Sequence, residues 1–226
     1  MENYKIHLIR HAITDGNVES RYIGLTDIPV NQKGIDAVKK IMEEHSYPYI
    51  EKLYSSPLLR CKQTANMIYP DINPVLLDEF VEYNFGDFEG KTFEELKKDP
   101  VFAGWIKGQN SPPNGETIEQ LTQRCQIGFA KILDDMMKNK IMNAAVVTHG
   151  GIIGHILSQY GIPKKSLNEW ICENAKGYTI HIDISLWMRS RSFEIANTVP
   201  KTLSMGKVEG GFDRDYAEIT EADFFE

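Results

Sequence analysis

Short apolar runs alternate with amphipathic stretches along most of the chain. Apolar runs of a few residues between turn-forming residues are typical of buried strands. They predict strands at residues 5–9, 52–55, 75–77 and 144–148, and a later pair at 178–186 and 192–197 joined by a turn at 188–191. Residues 12–31 and 83–90 are interrupted by glycine and other turn-forming residues, which predicts loops.

Apolar positions three or four residues apart predict helices between these strands. One covers residues 32–45 after the capping residue Asn31, and a second covers residues 55–69 with Pro57 in its first turn. A long helix begins at Thr117, which forms a capping-box pattern with Gln120, and extends to about residue 138. The apolar positions expected to face the core are Ile35, Val38, Ile41 and Met42 in the first helix, and Ile118, Leu121, Cys125, Phe129, Ile132, Leu133 and Met136 in the long one.

Two further helical regions complete the pattern. One or two short helices are expected over residues 92–110, broken by Pro100 and Gly104, and another helix follows His149 to about residue 160. Strands that alternate with helices predict an α/β fold with a mostly parallel central sheet and helices on both faces. We expect a domain over residues 1–199 and an acidic tail over 200–226, either loosely held or docked through Phe224 and Phe225.

Composition narrows the function classes. The chain of 226 residues is 42% hydrophobic and carries a formal net charge of −7, which argues against general binding of nucleic acid. An anionic substrate must therefore be held by local positive groups rather than by the net charge. Cys61, Cys125 and Cys172 lie far apart, as buried reduced thiols of a cytoplasmic protein would. No signal peptide and no membrane-spanning run are recognised, so no membrane partner is expected.

Unusual polar residues follow three of the predicted strands. They are Arg10-His11 after the first, Ser55-Ser56-Pro57 and then Arg60 after the second, and Thr148-His149-Gly150-Gly151 after the fourth. Ligands of open α/β sheets bind at the carboxyl ends of the strands, so these groups are expected to converge. Two arginines and two histidines at one place repel one another unless an anion lies among them. The planar guanidinium of arginine and the amides at the start of a helix both suit a phosphoryl group.

Two residues are candidates for the chemistry itself. A neutral histidine such as His11 is a competent nucleophile near neutral pH. Glu82 follows a predicted strand among aromatic residues, which can raise the pKa of a carboxyl group and make it a proton donor. Taken singly, each has an ordinary alternative: His11 as a polar residue at a strand end, Arg60 as a paired helical residue, and Glu82 as a solvated carboxylate.

Five motifs in order distinguish these alternatives. They are RHAxTxxN at 10–17, SPLxRCxQTA at 56–65, ExxFGDFEG at 82–90, PPNGET at 112–117 and VVTHGG at 146–151. Together they resemble the histidine phosphatase superfamily, which includes the cofactor-dependent phosphoglycerate mutases. The resemblance is close over residues 4–160 and looser to about 199. It implies a phosphoglycerate mutase-like fold and a helical insertion over the pocket at about residues 91–117.

The resemblance also implies roles for individual residues. His11 becomes phosphohistidine, while Arg10, Arg60 and His149 bind the phosphoryl group and stabilise charge in the transition state. Glu82 gives a proton to the leaving group and then acts as a base on water. Asn17 contacts the same oxygens, as do Thr148 and Gly150 of the last motif, and no metal or cofactor is needed. Ser20, Arg21, Tyr22, Tyr83, Phe88 and Trp105 are candidate contacts to the leaving group.

One motif departs from the family pattern. Ala12 stands where glycine usually follows the nucleophile, and its methyl group restricts the backbone if φ is positive there. Cys61 and Phe88 are smaller departures, at positions expected to shape the pocket wall.

The resemblance leaves three activities open. A mutase needs additional basic residues to hold a second phosphate, and residues 91–117 supply only Lys91, Lys97, Lys98 and Lys107. We therefore expect a phosphatase acting on small phosphorylated metabolites, similar to the α-ribazole phosphatase and fructose-2,6-bisphosphatase-like branches. Phosphoglycerate mutase-type transfer and a non-catalytic module that binds phosphorylated ligands are the alternatives, and a homodimer stays open.

Overall fold

The fold is taken from a computed structural model, in which residues 3–202 are described. Its strands are β1 Asn3–Arg10, β2 His45–Ser46, β3 Lys52–Ser55, β4 Val75–Leu76, β5 Asn143–Thr148, β6 Gly161–Ile162, β7 Gly177–Asp183, β8 Phe193–Val199 and β9 Lys201–Thr202. Its α-helices are α1 Asp15–Val18, α2 Gln32–Glu44, α3 Leu59–Ile68, α4 Phe93–Leu96, α5 Pro100–Ile106, α6 Ile118–Asn139, α7 Gly150–Tyr160 and α8 Ile184–Ser190. Short 3-10 turns cover Asp78–Phe80, Gly86–Phe88 and Asn168–Trp170.

Seven of these strands form one sheet in the order β4-β3-β5-β1-β7-β8-β6. The central strands β1, β3 and β5 are parallel, whereas β7 runs antiparallel to both β1 and β8. The register pairs Arg10 with Thr148 and Ser55 with Val147, so the three parallel strands end at one edge of the sheet. The predicted mostly parallel sheet is confirmed, and its topology brings the three polar motifs together.

Apolar residues on the strands alternate between two buried clusters, one on each face of the sheet. Val146 packs in a cluster with Phe129 of α6 and Ile153 of α7. Its neighbour Val147 packs on the opposite face with Val38 of α2, and Ala65 of α3 belongs to the same cluster. Helices therefore cover both faces, as the sequence pattern predicts.

A third apolar cluster lies between the loop before α2 and the short helices α4 and α5. Tyr22, Phe88, Leu96 and Phe102 are buried in it, and Trp105 packs against them from α5. Thr92 caps α4 through a capping box, and Asp99 caps α5 by accepting from the amide of Val101 at 2.8 Å. The segment therefore has a small apolar core of its own beside the site.

Two of the predicted elements near the C-terminus are wrong in part. The strand expected at 178–186 ends at Asp183, and α8 replaces its end and the turn predicted at 188–191. Asp183 caps this helix by accepting from the amide of Leu186 at 2.9 Å. Arg191, with a φ of 51°, ends it. The apolar residues of α8 continue those of the strand, so periodicity alone does not separate them.

Other boundaries and faces also differ from the predictions. Pro57 lies before α3 rather than in its first turn, Pro100 begins α5 rather than breaking it, and Gly104 lies inside α5. The short helix α1 occupies part of the loop expected at 12–31. Met42 and Ile118, assigned to inner faces, are 45% and 47% exposed because each lies near an end of its helix.

The described chain continues a little beyond the expected domain. Residues 201–202 form β9, which pairs antiparallel with β2. Most of the predicted acidic tail, including Phe224 and Phe225, lies outside the described residues. Cys61, Cys125 and Cys172 are buried and free, as expected. Within residues 3–202, no helix is long and apolar enough to cross a membrane.

Candidate active site

His11 stands immediately after β1, at the edge where the three parallel strands end. Its backbone amide donates to the carbonyl of Thr148 at 2.8 Å, which continues the pairing of β1 with β5. Its Nδ1 lies 2.8 Å from the carbonyl oxygen of Ala12. Because a carbonyl only accepts, Nδ1 carries the hydrogen, and the lone pair of the neutral ring lies on Nε2. Burial, followed by the charges of Arg60 and Arg10, holds the pKa of His11 well below 6.5, so the ring is neutral at neutral pH.

Two arginines supply the positive charge of the site. Arg60 is 1% exposed, and its guanidinium donates to the carbonyls of Thr26 at 2.9 Å and Gly24 at 2.7 Å. Arg10 donates through Nη1 to the carbonyl of Cys172 at 2.7 Å, and its buried Nε has no partner among the described residues. Neither forms an ion pair within the described part of the chain, so their charges are available to an anion.

His149 lies immediately before α7 and is completely buried beside His11. The ring centroids of His11 and His149 are 5.2 Å apart. Nδ1 of His149 accepts from Nε of Arg60 at 3.3 Å, so its Nε2 carries the hydrogen and donates to Oγ of Ser56 at 2.9 Å. Burial and the charge of Arg60 hold the pKa of His149 well below 6.5. Direct contact with an anion therefore requires His149 to exchange one of these two partners.

Of the two residues beside His149, Gly150 lines the cavity, whereas Thr148 does not. A Cβ on Gly150 would lie 3.2 Å from Nε of Arg10, so glycine permits this close approach of helix and guanidinium. The side chain of Thr148 points elsewhere and donates to the carbonyl of Phe80 at 2.8 Å. Thr148 thus fixes the turn that precedes Glu82, and it does not line the cavity.

Glu82, the predicted proton donor, lines the cavity and is 8% exposed. Its Oε1 accepts from the amide of Tyr83 at 2.9 Å, and its Oε2 accepts from the amide of Gly151 at 3.2 Å. Burial raises the pKa of Glu82, and this effect outweighs the opposing hydrogen bonds and arginine charges. A carboxyl group with a raised pKa at this position is suited to proton donation near neutral pH.

Asn17 and Tyr22 also reach the cavity from the loop after β1. The carboxamide oxygen of Asn17 accepts from the amide and hydroxyl of Thr14, each at 3.0 Å, and from Nδ2 of Asn174 at 3.3 Å. Its amide nitrogen is therefore the end that can donate to an anion. Tyr22 is 9% exposed and lines the cavity with its ring.

Arg10, His11, Asn17, Tyr22, Arg60, Glu82 and Gly150 line a cavity of about 370 Å³, whereas His149, predicted to bind the phosphoryl group, lies behind this lining against Arg60 and Ser56. Besides His11, Glu82, Arg10 and Arg60, its lining is mostly aromatic and aliphatic. Arg21, Tyr83 and Trp105 line it as expected, whereas Ser20 and Phe88 do not. No group of three or more His, Cys, Asp or Glu side chains within the described residues is arranged to hold a metal ion.

Comparison with known proteins connects this geometry to a family. The profile of the histidine phosphatase superfamily (branch 1) matches residues 6–191. The chain belongs to this superfamily. This membership confirms the resemblance drawn from the motifs and the expectation of a phosphoric monoester hydrolase.

Individual members of the superfamily are similar over most of the chain. The "uncharacterized phosphatase PhoE" of Bacillus subtilis is 34% identical over 155 residues, covering 67% of this chain and 75% of that protein. The adenosylcobalamin/alpha-ribazole phosphatase of Salmonella typhimurium is 28% identical over 187 residues, covering 80% and 90%.

Solved structures share the fold at lower identity. The alpha-ribazole phosphatase of Shigella flexneri is 20% identical with a TM-score of 0.71, and the match covers 90% of this chain and 100% of that one. A phosphoglycerate mutase of Bacillus anthracis is 21% identical with a TM-score of 0.68, covering 80% and 89%. These matches confirm the phosphoglycerate mutase-like fold.

This histidine phosphatase accommodates its departure at position 12 without strain. Ala12 is 1% exposed, and it is not among the described residues with positive φ. Its methyl group belongs to the same buried cluster as Val38 and Ala65. Its amide donates to Oγ1 of Thr64 at 2.8 Å. The alanine therefore helps to fix the backbone beside His11. Cys61 is also buried, with its sulfur 3.5 Å from Nε2 of His149, and it does not line the cavity.

Sequence reasoning missed Arg124, on α6. Its guanidinium donates to the backbone carbonyls of Glu79, Val81 and Glu82 at 2.8, 2.7 and 3.1 Å. It also forms a partly buried ion pair with Glu116. Arg124 therefore holds the backbone segment that carries Glu82. The sequence shows only that Glu116 and Arg124 are eight residues apart, and such a pair of charges is easily taken for ordinary solvent-exposed residues of a helix.

Proposed function

We propose that the protein hydrolyses phosphate monoesters of small molecules through a phosphohistidine at His11. The observation that carries this proposal is the arrangement around one ring. Within residues 3–202, Nε2 of a neutral His11 is free and two arginines without carboxylate partners lie beside it, and a carboxyl group with a raised pKa lines the same cavity. Arg10, Arg60, His149, Asn17 and the start of α7 at Gly150 would hold the phosphoryl oxygens.

The reaction then has two steps. Nε2 of His11 attacks phosphorus while the bond to the leaving oxygen breaks, and protonated Glu82 gives its proton to that oxygen. The carbonyl of Ala12 stabilises the hydrogen on Nδ1 as the ring gains positive character. In the second step, the Glu82 carboxylate takes a proton from water as the water attacks phosphorus. The P–N bond breaks, which releases inorganic phosphate and restores neutral His11 and protonated Glu82.

Hydrolysis is favoured over mutase-type transfer by the cations of the site. A mutase holds a second phosphate, which requires a second set of positive groups. None of the four lysines of residues 91–117 lines the cavity. Besides Arg10 and Arg60, the cavity is lined by Arg21, which forms an ion pair with Glu19 at 2.6 Å.

The proposal is tested with p-nitrophenyl phosphate and a 32P-labelled monoester. We expect nitrophenol release by the wild-type protein, and labelled phosphate that stays on the protein after alkaline quenching and is lost in acid. His11→Ala should abolish both signals with an unchanged circular dichroism spectrum. His181→Ala, which removes a histidine outside the cavity lining, is the matched control and should retain both.

Two results would overturn the proposal. Near-normal turnover by His11→Ala would exclude the covalent route. Absence of nitrophenol release between about pH 5 and 8, the range around the ordinary pKa of histidine, would favour the non-catalytic module.

A further inference from the structure

Four aromatic rings form a continuous surface along one part of the cavity. Tyr22, Tyr83, Phe85 and Trp105, which we call the aromatic wall, all line it. The ring centroid of Phe85 lies 5.3 Å from those of Tyr22 and Tyr83. The ring centroid of Trp105 lies 5.7 Å from that of Tyr22 and 5.9 Å from that of Phe85. Such mutual packing fixes the rings in place, so an apolar surface is already formed before a ligand binds.

The polar groups near the aromatic wall are already engaged. The hydroxyl of Tyr83 donates to the backbone carbonyl of Glu116, which leaves the ring as the part of this residue that a ligand meets. Aliphatic side chains extend the apolar lining beyond the wall. They are Ile23, Ile106, Ile118, Leu121, Leu167 and Ile171.

The charges of the cavity are concentrated at the phosphoryl site. Arg10 and Arg60 lie beside His11, and among the described residues Glu82 is the one carboxylate in the lining. Arg21 is the remaining cation of the lining. It pairs with Glu19 at 2.6 Å and Glu95 at 3.4 Å and donates to the carbonyl of Gly90 at 2.7 Å. A second anionic group on a substrate would lose its water at the aromatic wall without gaining a free cation.

We infer that the cavity selects phosphate monoesters of uncharged alcohols that carry an aromatic or bulky alkyl group, which packs against the aromatic wall. This inference rests on the proposed function and specifies its substrate class. Bisphosphates and phosphorylated carboxylic acids are disfavoured because the walls above the phosphoryl site are apolar. A cavity of about 370 Å³ has the size of a small-molecule site.

Three esters of primary alcohols separate this inference from leaving-group effects, because their leaving oxygens have similar basicity. They are 2-phenylethyl phosphate, ethyl phosphate and 3-phosphoglycerate. We expect kcat/KM for the phenylethyl ester to exceed that of the ethyl ester by about tenfold or more, as burial of an aromatic group predicts. We expect 3-phosphoglycerate to be hydrolysed no faster than the ethyl ester.

Two variants test whether the lining causes the selectivity. Trp105→Ala should lower the phenylethyl-to-ethyl ratio by about tenfold. The matched control Tyr49→Ala removes an aromatic ring that is 80% exposed and outside the cavity lining, and should leave the ratio unchanged. Ile118→Lys places a cation at a half-exposed position of the lining, so the fold should tolerate it. It should raise the ratio of 3-phosphoglycerate to phenylethyl phosphate.

The outcomes distinguish this inference from the proposed function. Hydrolysis of p-nitrophenyl phosphate together with faster turnover of 3-phosphoglycerate than of the phenylethyl ester would overturn the inference and leave the phosphatase proposal intact. An unchanged ratio in Trp105→Ala, with the variant folded by circular dichroism, would also overturn it. No hydrolysis of any ester would instead count against the proposed function.

Discussion

Burial changes the pKa values of the two central residues in opposite directions. It lowers the pKa of His11, because a charged imidazole would be desolvated beside two arginines, and it raises the pKa of Glu82, because a carboxylate would be desolvated. Both residues are therefore held towards their uncharged forms. These are the forms that a nucleophile and a proton donor need at the start of the proposed reaction.

Glu82→Gln is expected to separate substrates by leaving group. Alkyl phosphates need a proton on the departing oxygen, so their kcat/KM should fall by about 10²–10⁴-fold, whereas kcat/KM for p-nitrophenyl phosphate should fall much less.

The pH profile tests the same role of Glu82. In the wild type, turnover of alkyl phosphates should fall as pH rises through the raised pKa of Glu82 and should persist below pH 6.5, because His11 stays neutral there. The variant should lack the alkaline fall. Equal losses on both substrates would remove Glu82 from this role.

At the scale of elements, α6 supports the backbone segment that carries Glu82, the proposed proton donor. Arg124 binds three carbonyls of residues 79–82, and Gly128 permits close packing on the turn, since a Cβ there would lie 2.8 Å from the ring of Phe80. The hydroxyl of Thr148 binds the carbonyl of Phe80 from the sheet side. The position of Glu82 is thus fixed by a helix and a strand together.

Arg124→Met is expected to weaken both stability and catalysis. It leaves the mostly buried Glu116 without its cationic partner and three carbonyls without a donor, so the free energy of unfolding should fall by about 3–5 kcal/mol in a denaturant titration. Turnover of alkyl phosphates should fall more than that of p-nitrophenyl phosphate, because Glu82 loses its position. The control Lys131→Met, also on α6, removes a half-exposed lysine from its ion pair with Glu79 and should cost about 1 kcal/mol or less. Equal effects of the two variants would contradict this role of Arg124.

Sequence reasoning succeeded where local pattern and topology agree. The bounds of β3 and the capping box at Thr117 were predicted correctly, because periodicity and caps are local signals. The helix α8 was missed because its apolar residues continue those of β7. Arg124 was missed because its partners lie 42 to 45 residues earlier in the chain, and nothing in α6 itself indicates them.

The charge of the whole molecule differs from the charge of its site. The chain has a net charge of −7, whereas the cavity is lined at the candidate phosphoryl site by Arg10, Arg60 and the neutral His11. The net field therefore does not attract anions, and a phosphorylated substrate of the proposed kind would be held by short-range contacts with Arg10 and Arg60. The proposed selectivity for one phosphate and an apolar body agrees with this arrangement, since charge elsewhere on the substrate would gain little.

Buried neutral histidines also make the whole fold sensitive to acid. His7 and His155 lie in opposite parts of the core, each bonded to a threonine hydroxyl, and burial lowers the pKa of each from 6.5 to about 4. The pKa values of His11 and His149 are lowered as well. An unfolded chain takes up protons on these rings near pH 6.5, whereas the folded chain does not. Their contribution to stability is therefore present above about pH 6.5 and is lost as pH falls towards 4.

A histidine variant measures this contribution directly. The hydroxyl of Thr122 donates to the carbonyl of Ile118, so it accepts a hydrogen from Nε2 of His155, and the amide of His155→Gln can replace that donor. Between pH 7 and 4.5, the free energy of unfolding from urea titrations should fall by about 2–3 kcal/mol less in His155→Gln than in the wild type. Comparison with the wild type removes the contribution of the carboxylates, which titrate in both proteins. Parallel pH profiles would show that His155 is protonated equally in the folded and unfolded chains, and would contradict the lowered pKa.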